Sequence, residues 1–184
     1  MPTQLPATIR QGEIVAGDGR ITLPTATVVL ERARSLCSEA CFTVALQRRR
    51  LRSAEPEDDK FIFRWWADLQ FLIVALRRLQ RAAQIATHVP EVHLQVIEAI
   101  TEFKASLPGL DTLRNIGEHI DEYAVDSPKR HDISIDRRGL QVGTWDGTTF
   151  SWLNQQLNID TAMLAAEKLF LAVKRASGGN QVPA

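Results

Sequence analysis

Residues 57–88, EDDKFIFRWWADLQFLIVALRRLQRAAQIATH, decide how this chain folds. Ile62, Trp65, Trp66, Leu69, Leu72, Ile73, Leu76, Leu79 and Ala83 recur at three- and four-residue spacing, so they share one face of a long helix. Phe61, Phe63, Phe71 and Val74 add apolar surface elsewhere, which predicts a central helix buried on more than one side. Trp65 and Trp66, set among leucines at helical spacing, read as core. The helix has a basic tail in Arg77, Arg78 and Arg81.

Upstream, a first helix is predicted over residues 27–52. Val29, Ala33, Leu36, Cys37, Ala40, Val44 and Leu51 form its apolar stripe, and Arg48, Arg49, Arg50 and Arg52 suit the negative end of its dipole. Residues 1–24 read as an irregular segment, with Gly17-Asp18-Gly19 as a possible hairpin turn. Downstream, Pro90 opens a third helix over residues 91–105, and Pro108-Gly109 closes it. Asp111 or Thr112 can cap a fourth helix reaching residue 124.

The pattern then changes. Ile133-Ser134-Ile135, Leu140–Thr144 and Thr148–Trp152 are short alternating runs, and Asp146-Gly147 is a two-residue hairpin signal. Residues 131–153 therefore read as an antiparallel hairpin or meander before a last helix, capped by Asp160 and ending near residue 176. The expected architecture is mainly α: a single domain over residues 1–184, built as a five-helix bundle with a small β insertion.

With 22 basic and 22 acidic residues among 184, the chain has no formal net charge, which argues against holding nucleic acid by bulk charge alone. A hydrophobic content of 45% with 24% charged residues suits a packed core and excludes wholesale disorder. Cys37 and Cys41, four apart on one helix, fit disulfide geometry poorly and read as reduced, buried thiols of a cytoplasmic protein. The start of the chain lacks a signal-peptide profile, and the apolar run Phe71–Leu76 is too short to span a bilayer. Glycine-rich phosphate loops, Gly-x-Ser-x-Gly elbows and Cys-x-x-Cys pairs are missing, which disfavours nucleoside triphosphate, dinucleotide and serine-hydrolase chemistry.

One stretch points to chemistry: Leu113-Arg114-Asn115-Ile116-Gly117-Glu118-His119-Ile120-Asp121-Glu122-Tyr123. An arginine, an adjacent asparagine and a histidine five positions after the arginine resemble the signature of the HEPN superfamily. Those proteins are small α-helical bundles, many of them ribonucleases of toxin–antitoxin and phage-defence systems. The resemblance spans the bundle in outline, residues 27–124 and 160–176, and rests on three motif residues. It implies a metal-independent endoribonuclease with Arg114, Asn115 and His119 as catalytic residues, a 2′,3′-cyclic phosphate product and no cofactor. An antiparallel homodimer with both motifs facing one cleft is implied as well, with an antitoxin as a possible partner. In chemical terms, Arg114 suits phosphate oxygens, His119 suits proton exchange near neutral pH, and Asn115 would orient either group. Arg48, Arg49, Arg50, Arg52, Arg77, Arg78 and Arg81 are then candidates for contact with the RNA backbone.

The same residues also fit a solvated helix face, with Arg114 pairing Glu118, and His119 pairing Glu122 or Tyr123. A metal site from Glu118, His119, Glu122, His131 and Asp132 has enough ligand types, but its spacing matches no established zinc pattern. The second functional reading is a non-catalytic helical interaction protein. In it Trp145, Phe150 and Trp152 either pack the hairpin onto the bundle or bind a partner protein.

Overall fold

The computed structural model describes residues 23–55, 60, 63–125, 139–140 and 143–178. Helix α1 (Ala26–Arg52) starts at Thr25, whose hydroxyl accepts the Val28 N–H, and ends at Ser53, whose N–H donates to the Arg50 carbonyl. Helix α2 is Arg64–Ala86, shorter than the 57–88 span read from the sequence. A 3₁₀ turn at Pro90–Val92 leads into α3 (His93–Ser106). The expected fourth helix is two, α4 (Leu110–Glu118) and α5 (Ile120–Ala124), broken at His119 (φ −125°, ψ 31°). Strands β1 (Thr144–Trp145), β2 (Thr149–Trp152) and β3 (Gln155–Asn158) precede α6 (Ile159–Gly178).

The helices α1 and α2 form an antiparallel pair, since Cys37 Sγ meets the Leu79 carbonyl at one end and Arg50 meets Asp68 at the other. Helix α6 packs across α1, α2 and α3. The core joins Leu30, Cys37 and Val44 of α1, Leu69, Leu72, Leu76 and Leu79 of α2, and Leu169 and Val173 of α6. The mainly helical bundle with a β insertion before its last helix thus stands, with six α-helices among the described residues rather than five.

The sheet is an antiparallel meander in the order β1-β2-β3. Asp146 and Gly147 make its first turn: the Asp146 carboxylate accepts the Thr148 and Thr149 N–H groups, and Gly147 has φ +92°. The register pairs Trp145 with Phe150 and Trp152 with Gln155. Strand β3 lies beyond the expected insertion, while Ile133–Ile135 and the hairpin expected within residues 1–24 fall outside the described residues. The cap of α6 is Asn158, whose side-chain oxygen accepts the N–H groups of Asp160 and Thr161. Asp160, expected as that cap, faces α1 instead.

Candidate functional site: the α4–α5 corner and the α1–α2 face

Helix α4 begins at Leu110, which puts Arg114 in its second turn, beyond the free N–H groups that would help it hold phosphate. Its guanidinium pairs with Glu118 one turn on. Asn115 donates a 3.1 Å hydrogen bond to the Tyr123 hydroxyl. Tyr123 and Glu122 both donate backbone N–H groups to the His119 carbonyl, which closes the corner between α4 and α5. The His119 ring is half-buried, with Nδ1 4.0 Å from Glu122, too long for a hydrogen bond. Arg114 and His119 are five positions apart, about 140° around a helix, and α4 ends between them at Glu118. The structure joins Asn115 to Tyr123 through their side chains and to His119 through the His119 N–H on the Asn115 carbonyl, while Arg114 is paired with Glu118.

Beside this corner lies a cavity of about 330 Å³, with Trp66, Phe71, Val74, Ile120 and Trp152 among its walls and Arg114 and Glu118 at one side. Gly117 stands where α4 meets α2; a Cβ there would lie 2.9 Å from Gln70 Oε1. The cavity is apolar, and Glu118 answers the charge of Arg114. That is a poor setting for a phosphodiester. Among the described residues no group of three or more His, Cys, Asp or Glu could hold a metal ion, and His131 and Asp132 lie outside them.

Four of the seven basic candidates are bound within the fold. Arg48 and Arg52 both reach Asp160 on α6, the first at 2.8 Å. Arg50 (2.8 Å) and Arg64 (3.1 Å) share Asp68, a carboxylate only 3% exposed on α2. Arg77 pairs with Asp111 at 2.7 Å. These contacts tie α1 to α6, α1 to α2, and α2 to α4. Arg49, Arg78 and Arg81 remain exposed.

The hairpin aromatics are a correction. Phe150 and Trp152 are buried, and their rings meet Trp66 edge-on at 5.5 and 5.1 Å. They fix the sheet to the bundle and offer no partner an exposed face; Trp145 is half-buried beside them. Neither is α2 covered on every side. Phe63, Phe71 and Val74 are exposed, as are Leu36 and Phe42 of α1. Leu36, Ala40 and Thr43 of α1 face Phe71, Val74 and Ala75 of α2 across a groove of about 580 Å³. The sequence carried this signal in the surplus apolar residues of α2, which the fold leaves open rather than burying.

The thiols of Cys37 and Cys41 are free and buried; burial pushes Cys37 up to about 12 and raises Cys41 as well. No helix among the described residues is long and apolar enough to cross a membrane. No protein-family model, curated protein or solved structure matches the chain.

Proposed function

We propose that this chain is a non-catalytic helical interaction protein whose docking surface is the α1–α2 face. The observation that carries this is the uncovered apolar groove, where Phe71 is 61% and Leu36 46% exposed. Large apolar side chains gathered on one exposed face mark an interaction site more often than scattered ones do. The pairing of Arg114 with Glu118 supports the same reading. Free, buried thiols support a reducing, cytoplasmic setting.

A second reading is a HEPN-like, metal-independent endoribonuclease of a toxin–antitoxin or phage-defence module. The hydrogen bond from Asn115 to Tyr123 favours it, since it folds the motif around His119 beside the cavity that Arg114 lines. A labelled mixed RNA pool incubated in EDTA with wild type and with His119→Ala separates the two. The interaction reading expects the same uncut RNA from both proteins. Cleavage that leaves 2′,3′-cyclic phosphate and disappears in a folded His119→Ala variant would establish the nuclease instead.

A further inference from the structure

We propose that the groove between α1 and α2 is filled by a second copy of this chain, related by a two-fold axis parallel to the two helices. This rests on reading the α1–α2 face as a docking surface. The groove floor is made of small residues, with Ala40, Ala75 and Ala82 buried and Thr43 half-buried among them. Small side chains let helix axes approach to about 8–10 Å. From Phe71 to Ile85 the α2 side runs about 21 Å at 1.5 Å per residue, close to four helical turns. That length offers a facing helix several points of interdigitation rather than one.

Charge selects the occupant. Glu39 stands on the α1 side of the groove, and Arg78 and Arg81 on the α2 side. All three are exposed, and none has a side-chain hydrogen bond or ion pair among the described residues. Cys37 lies against Leu79 and Arg50 against Asp68, so Glu39 on α1 is level with Arg78 on α2. A two-fold axis parallel to the helices lays α1 on the partner's α2 at the same level, antiparallel to it. Glu39 then meets the partner's Arg78 and Arg81, and the contact occurs twice by symmetry. An axis perpendicular to the helices would lay α1 on the partner's α1 and leave all three charges without opposites. The groove is therefore self-complementary in one orientation, with Leu36 and Phe71 of each copy covered.

Sedimentation of the full chain at about 50 µM tests this, a concentration at which a dimer of micromolar affinity is largely formed. Wild type is expected at twice the 20.6 kDa chain mass. Glu39→Arg alone, and Arg78→Glu with Arg81→Glu, should each weaken the dimer at least about tenfold. An equal mixture of the two variants should regain the dimer, because one charge contact is reversed and the other native. Circular dichroism checks that both variants fold. A monomeric wild type, variants that dimerise as wild type does, or a mixture that stays monomeric would each overturn the second-copy assignment. The interaction reading itself fails on a different result, His119-dependent RNA cleavage.

Discussion

Replacing Phe150 with alanine should detach the small sheet from the bundle. Phe150 is fully buried, with its ring 5.5 Å from Trp66 of α2 and 6.3 Å from Trp152 on its own strand. Truncating a buried phenylalanine costs about 3–5 kcal/mol, from lost transfer energy and the cavity left behind. Complete burial and two aromatic neighbours place this site near the middle of that range, about 4 kcal/mol. With a urea m-value of about 2 kcal/mol/M, the unfolding midpoint should fall by about 2 M. Tryptophan fluorescence reports it directly, since Trp66 and Trp152 line the cavity created. Trp145→Ala, at a half-buried position on edge strand β1, serves as the comparison and should cost about 1 kcal/mol. A midpoint change below about 0.5 M for Phe150→Ala would refute the packing argument and return Phe150 to an exposed, partner-binding role.

Three further outcomes follow from the ion pairs and the thiols. Asp68→Ala leaves Arg50 and Arg64 without their carboxylate; Arg50 is 45% exposed and rehydrates in place, so the expected loss is about 2 kcal/mol rather than the 3–5 of a fully buried pair. An unfolding midpoint equal to wild type would contradict that. Asp160 is held below the usual carboxylate range by its hydrogen bond from Arg48 and by the charges of Arg52 and Arg48. Its contribution is present above the ordinary carboxylate pKa and lost as pH falls through the lowered folded value. Wild type should therefore exceed Asp160→Asn in stability at neutral pH, with the gap closing in strong acid. A gap that widens on acidification has the wrong sign. Cys37, pushed up to about 12 by burial, should resist thiol reagents at about pH 8 until the protein unfolds, and rapid labelling of native protein would show it to be accessible.

The elements that sequence made legible are those fixed by local chemistry. The apolar spacing of Val29, Ala33, Cys37 and Val44 marked α1 to within a residue at each end, and Asp146-Gly147 marked the β1–β2 turn. Strand β3 escaped because its turn uses Leu153 (φ +50°) and Asn154 (φ +60°), with no glycine to announce left-handed backbone. The break at His119 had a local sign in Gly117, a weak helix former within the pattern. Long-range partners had none. Arg48 and Asp160 are 112 residues apart, so the basic tail of α1 looked like a phosphate-binding patch until the fold brought α6 beside it. Strand alternation placed Phe150 and Trp152 on one face, but only the position of Trp66 decides that this face is covered. The surplus apolar residues of α2 were legible as surplus; that they stay open, not buried, is a property of how many helices the chain supplies.

The most direct measurement is the sedimentation and urea stability of Phe71→Glu. If Phe71 belongs to a docking surface, self-association should be lost, while urea unfolding at a concentration where wild type is itself monomeric should agree with wild type within about 0.5 kcal/mol. A variant destabilised by about 2 kcal/mol or more, or one that associates as wild type does, would contradict the account.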